Sequence, residues 1–131
     1  MEYSEILDHL ESLADPKAVE GMARFGITPE RAYGISMPAL RDIAKGIQKS
    51  HELAQWLWLN GSRETRILAS LVDDPKLVTE EQIEKWASGF DYWEICDQVC
   101  MNLFQKTPLA WQKASEWSSR EEESHKGQHL Y

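Results

Sequence analysis

In the run Phe90-Asp91-Tyr92-Trp93-Glu94-Ile95-Cys96-Asp97-Gln98-Val99-Cys100, Trp93 and Asp97 stand four residues apart. On a helix that spacing puts an indole and a carboxylate on one face, one turn from each other. An aromatic face beside an anion is a receptor for a cation, or for a reaction centre that becomes cationic. The same residues admit a plainer reading, a core tryptophan with an aspartate that caps or pairs with a neighbouring helix. Spacing alone leaves both open. Cys96 and Cys100 lie one turn apart on the same helix and read as small buried thiols. Structural zinc needs four ligands, and no further Cys or His pair completes a set, so neither a metal nor a cofactor is expected. His125 and His129 share the four-residue spacing but fall where apolar periodicity is lost. No phosphate loop, dinucleotide fingerprint or nucleophile elbow is present.

The elements that would position this face are helices; strand signals are nearly absent. Ile6, Leu7, Leu10 and Leu13 recur at helical spacing, and Asp15-Pro16 reads as the N-cap and first-turn proline of a second helix that stops near Gly26. Residues 27–35 form the longest irregular stretch, with Pro29 and Gly34 as breakers. Ser36-Met37-Pro38 opens a third helix with Leu40, Ile43, Ala44 and Ile47 on one side and Arg41, Lys45 and Gln48 on the other. Ser50 caps the next, and Asn60-Gly61 turns the chain. Ser62 opens a helix that ends at Asp73-Asp74-Pro75, and Thr79-Glu80-Glu81-Gln82 has the pattern of a capping box. Asp91 is expected to cap the Trp93 helix, and Thr107-Pro108 to begin a last one through Trp111 and Trp117. Asp73, Asp74, Glu80, Glu81 and Glu84 read as helix terminators and dipole complements. Trp56, Trp58, Trp86, Trp111 and Trp117 suit helix–helix packing or the lining of a groove.

About eight short helices joined by short turns predict an all-α fold of stacked antiparallel helix pairs, a HEAT- or armadillo-like α-solenoid over residues 1–118. A compact, non-repetitive bundle is the competing architecture, because internal sequence similarity is weak. Residues 119–131 read as a flexible tail. A chain of 131 residues with 42% hydrophobic and 27% charged residues suits one globular domain. No apolar run approaches the roughly 20 residues that span a bilayer, and the acidic start lacks a secretory pattern, so a cytoplasmic setting without membrane contact is expected. The net charge of −8 excludes non-specific nucleic-acid binding by the whole surface. The charge is uneven, however. Residues 1–66 hold eight Lys/Arg against ten Asp/Glu, and residues 67–131 hold six against twelve. A local basic stripe drawn from Arg24, Arg31, Arg41, Lys45, Lys49, Arg63 and Arg66 is compatible with that distribution.

Three segments carry a family resemblance: Tyr33-Gly34-Ile35-Ser36-Met37-Pro38-Ala39-Leu40-Arg41, Arg63-Glu64-Thr65-Arg66-Ile67-Leu68-Ala69, and Asp91-Tyr92-Trp93-Glu94-Ile95-Cys96-Asp97. In this order and at these separations the chain resembles the bacterial DNA alkylation repair family, the AlkD-like DNA glycosylases built from HEAT-like repeats. The likeness covers about residues 18 to 118. It implies a hydrolase that removes cationic N3- or N7-alkylated purines from damaged double-stranded DNA, engaging the duplex from its backbone. It implies that Trp93 and Asp97 contact the deoxyribose of the lesion as catalytic residues, and that Ser36 lies near the DNA. Arg41, Lys45 and Arg66 are the basic residues expected to bind DNA with it. The resemblance also implies a further aromatic in a later repeat, and an arginine about where Gly127 stands. The sequence is therefore expected to match the amino-terminal half to two-thirds of the family's domain, and an uncapped solenoid end would favour self-association. The alternative function is a non-catalytic HEAT-like scaffold that binds DNA or a protein along its concave face.

Overall fold

The computed structural model describes residues 2–110, and every regular element among them is helical. Seven α-helices follow in order: α1 (Tyr3–Ser12), α2 (Pro16–Ala23), α3 (Met37–Lys45), α4 (His51–Asn60), α5 (Arg63–Val72), α6 (Glu80–Ala87) and α7 (Trp93–Asn102). Short 3-10 turns at Pro75–Leu77 and Phe104–Lys106 punctuate the chain. The expected final helix is described only to Ala110; Trp111, Trp117 and the expected tail at 119–131 lie outside the described residues, as do His125, Gly127 and His129.

Local chemistry sets most helix starts. Asp15, Ser36, Ser50, Ser62 and Thr79 each accept a backbone N–H of the following first turn, which satisfies donors that a helix leaves unpaired. Proline follows the cap in α2 and α3, where its missing N–H costs nothing. Gly61 ends α4 with φ +85°, a left-handed cap that permits the tight turn into α5.

Two expected caps are built differently. Thr79 accepts the Gln82 N–H at 3.1 Å, but the Gln82 side chain turns inward to Asp73 at 2.7 Å, so the capping box is half formed. At α7 the cap position is Tyr92, not Asp91, and no side chain caps it. Asp91 stands one residue too early. Longer-range contacts fix the entry into α7 instead.

α5 is the central element. It packs against α3, α4 and α7, and buries Ile67, Leu68, Ala69 and Val72 together with the polar Arg63, Glu64, Thr65 and Ser70. Ile6 and Leu10 of α1, Leu40 and Ile43 of α3, Leu57 of α4, Ile83 of α6 and Ile95 and Val99 of α7 complete one core. Each large aliphatic sealed there contributes about 1.5–3 kcal/mol relative to exposure. Trp58 and Trp86 stack in this core, with centroids 4.4 Å apart and planes 3° from parallel. Trp56 does not join them: it is 54% exposed and meets Tyr3 edge-on.

Asp73, expected only to terminate α5, is fully buried. It binds His51 Nδ1 at 2.7 Å, the Gln82 amide at 2.7 Å and the Asp74 N–H at 2.7 Å, and so ties α4, α5 and α6 at one end.

Candidate functional site

Trp93 is the first residue of α7 and Asp97 follows one turn later, so both project from one face near the start of that helix. Trp93 is 50% exposed, and Asp97 is half-buried. The indole is oriented from outside its own helix. Its Nε1–H donates to the Phe25 carbonyl at 2.9 Å, in the turn that leaves α2. Gly26 follows, at φ +75°, and a Cβ there would lie 3.1 Å from the Trp93 Nε1. Glycine thus supplies both the left-handed turn and the room for the ring to approach. The Phe25 side chain, 74% exposed, stands in the same turn. Sequence reasoning missed Phe25. Its only local signal is an aromatic placed between a helix end and a glycine.

Beneath this face lies a buried charge network. The Arg63 guanidinium donates to both carboxylate oxygens of Glu94, through Nε at 2.7 Å and Nη2 at 3.0 Å. Its Nη1 donates to the Ile35 carbonyl at 2.6 Å and to Glu64 at 2.8 Å. Glu64 in turn accepts the backbone N–H groups of Tyr33, Gly34 and Ile35 at 2.8, 3.0 and 3.2 Å. All three side chains are sealed from solvent. Burial works against the Arg63 charge, but the bonds and charges of Glu94 and Glu64 outweigh it and raise its pKa. One guanidinium therefore joins the residue before Ser36 to the residue after Trp93. Arg63 is consequently not part of the basic stripe. Gly34, at φ +88°, completes the joint, since a Cβ there would fall 2.3 Å from the Asp15 carbonyl oxygen.

The expected DNA-contacting residues divide into two groups. Ser36 caps α3 at its exposed start, and Arg41 and Lys45 stand exposed further along that helix. The Lys45 ammonium lies 3.9 Å from Asp42, a solvent-screened pair that leaves it accessible. Arg66 is placed differently. Its guanidinium sits over the Trp58 ring, 4.7 Å from the centroid, and donates to the Gly89 carbonyl at 3.1 Å. That contact braces the turn before α7; the side chain is committed to the fold.

Around the site, Tyr92 is half-buried, and its hydroxyl finds no hydrogen-bond partner among the described residues. Burial and the neighbouring Glu94 charge push the phenol well above its ordinary pKa. Cys96 and Cys100 are buried thiols, neither in a disulfide. A hydrogen bond to Cys100 lowers the Cys96 pKa, against the opposing effects of burial and the Asp97 charge.

The profile of the family described as DNA alkylation repair enzyme matches residues 6–125. The chain belongs to this family. Among solved structures, it superposes with a TM-score of 0.81 on a protein described as one of "a new family of proteins related to the HEAT-like repeat DNA glycosylases with affinity for branched DNA structures". The two share 23% identity over 92% of this chain and 51% of the other, so this chain spans about half the length of that protein. The likeness establishes the fold: stacked antiparallel helix pairs of the HEAT-like kind. No curated protein sequence matches significantly. In this member of the alkylation repair family, no described helix is long and apolar enough to cross a membrane.

Proposed function

We propose that this alkylation repair family member is an alkylpurine DNA glycosylase, hydrolysing the N-glycosidic bond of cationic N3- or N7-alkylated purines in duplex DNA. The observation that carries this reading is the half-open indole of Trp93, held by the Phe25 carbonyl, with the Asp97 carboxylate one turn along the same face. A core tryptophan would be sealed. This one spends its N–H on a distant backbone and leaves ring surface to solvent.

The chemistry suits those groups. An alkylated purine already carries positive charge, so the bond from C1′ to the base breaks with its electron pair leaving on the base, which becomes neutral. The sugar is left as an oxocarbenium ion, with charge development as in glycoside hydrolysis. The Trp93 face stabilises that cation by about 0.5–2 kcal/mol. A carboxylate about 4 Å away adds about 1 kcal/mol in water and about 4 kcal/mol at an effective dielectric near 20. Exclusion of water by the DNA thus decides how much Asp97 contributes. Water then adds at C1′ and passes its proton to Asp97 or to solvent, giving free base and an abasic site. Ser36, Arg41 and Lys45 on α3 are the proposed backbone contacts, set in register with Trp93 by the Arg63 bridge. Arg66 takes a bracing role in this proposal.

The test is release of 7-methylguanine from methylated duplex DNA above the spontaneous rate. A second reading is favoured by the description of the structural neighbour: binding of branched DNA without chemistry. Salt-dependent binding to a four-way junction, unchanged by Asp97→Asn and without base release, would support that reading instead.

A further inference from the structure

A second aromatic–carboxylate arrangement lies away from α7, on the face shared by α1 and α4. A groove of about 860 Å³ opens there, within the size range of small-ligand sites. Its aromatic wall is Tyr3 and Trp56, with centroids 5.6 Å apart and planes at 76°. The Tyr3 hydroxyl accepts from the Asn60 amide at 3.2 Å, which fixes that ring. Trp56 is 54% exposed, so its burial contributes little to the core. Glu52, exposed and one turn before Trp56 on α4, also lines the groove.

The charges of the lining decide what it accepts. Two helix N-termini reach this groove and would by themselves attract an anion. Both already hold an acceptor, α1 the Glu5 carboxylate that takes the Glu2 N–H at 3.1 Å and α4 the Ser50 hydroxyl that takes the Leu53 N–H at 3.1 Å. The one lysine present, Lys49, donates its ammonium to the Leu71 carbonyl at 2.9 Å. Among the described residues the Glu52 carboxylate has no such bond, and it lies one turn from Trp56 in the same lining. Glu2 and Glu52 against Lys49 leave the described lining net negative, which favours a cation with an apolar skin over phosphate.

We propose that the Tyr3–Trp56–Glu52 groove is a binding site for an alkylated ammonium cation, of the quaternary ammonium class. Aromatic walls attract such a cation through their negative faces, and its methyl groups make dispersion contacts that a hydrated ion would forgo. The cation can come from a free small molecule or from a methylated lysine side chain; the recognition chemistry is the same.

The experiment is a titration of the full chain followed by the indole N–H resonances in a two-dimensional ¹H–¹⁵N spectrum. Choline should give a saturable shift of the resonance that disappears in Trp56→Leu. Its uncharged isostere, 3,3-dimethylbutan-1-ol, should not. Trp56→Leu should weaken choline binding about 2- to 30-fold, the range of one cation–π contact. Glu52→Gln should weaken it about 2- to 5-fold, as expected for an exposed charge pair. Both residues are exposed, so the variants should remain folded. Tighter binding of a trimethyllysine peptide than of free trimethyllysine would assign the cation to a protein partner, and equal binding to a small molecule. No saturable shift of the Trp56 resonance, or an equal shift with the uncharged isostere, would overturn the proposal.

Discussion

Trp58 and Trp86 are sealed against each other in the core, whereas Trp93, a few residues further along the chain, stands half in solvent. The two regions use the same residue type for opposite purposes. The stacked pair removes large apolar area from water and is covered on one side by the Arg66 guanidinium. Trp93 contributes little area to the core, yet it is oriented by a specific hydrogen bond from α7 to the turn after α2. An exposed indole fixed in this way keeps ring surface open to solvent, as the proposed function requires. Below it, the Glu64–Arg63–Glu94 network shows the fold using buried charge to place that indole. Buried ion pairs seldom stabilise more than an apolar replacement would, so register is the property this one supplies best.

Substitutions at the two tryptophan sites should separate these roles. Trp86→Ala should cost about 3–5 kcal/mol in a denaturant titration, by leaving a cavity in the stacked core. Trp93→Ala should cost no more than about 1.5 kcal/mol, the loss of one hydrogen bond. Similar losses for both would erase the distinction drawn between core and site. Glu64→Ala should also cost about 3–5 kcal/mol, since it removes one carboxylate partner of the buried Arg63 and releases three backbone donors of the loop before α3. A Glu64→Ala protein of ordinary stability would show that the network does not organise the fold.

Smaller effects sharpen the same contrast. Gly26→Ala should cost about 1–3 kcal/mol through the left-handed backbone and should displace the indole, visible as a shift of the Trp93 N–H resonance. An unmoved resonance would mean that the turn does not hold the ring. Tyr92→Phe should be neutral or stabilising by up to about 1 kcal/mol, because the buried hydroxyl has no hydrogen-bond partner among the described residues. A marked loss of stability in that variant would reveal a bond the structure does not contain.

The helix starts were legible in the sequence because caps are local. Asp15, Ser36, Ser50, Ser62 and Thr79 act on donors two or three residues away, and each behaves as its position suggests. The partners of Glu64, by contrast, lie about thirty residues distant, at Tyr33, Gly34 and Ile35. No spacing rule reaches that far. In the sequence Arg63 reads as a surface cation for the same reason, and Asp73 as a helix terminator. At α7 the cap assignment failed because Trp93 and Glu94, bonded to Phe25 and Arg63, override the nearby aspartate. Spacing alone identified the Trp93–Asp97 face but not its exposure. That exposure depends on where α7 begins relative to α2 and α5, which is a tertiary property.

In the proposed reaction Trp93 and Asp97 face a sugar as it becomes cationic. The most direct test is the single-turnover rate of base release from a duplex carrying one N7-methylguanine, with the native chain and with Asp97→Asn. Loss of the carboxylate's stabilisation should slow release by roughly 5- to 1000-fold while folding is retained, given about 1–4 kcal/mol at stake. Equal rates for the two proteins, or no release by either beyond that of the DNA alone, would contradict it.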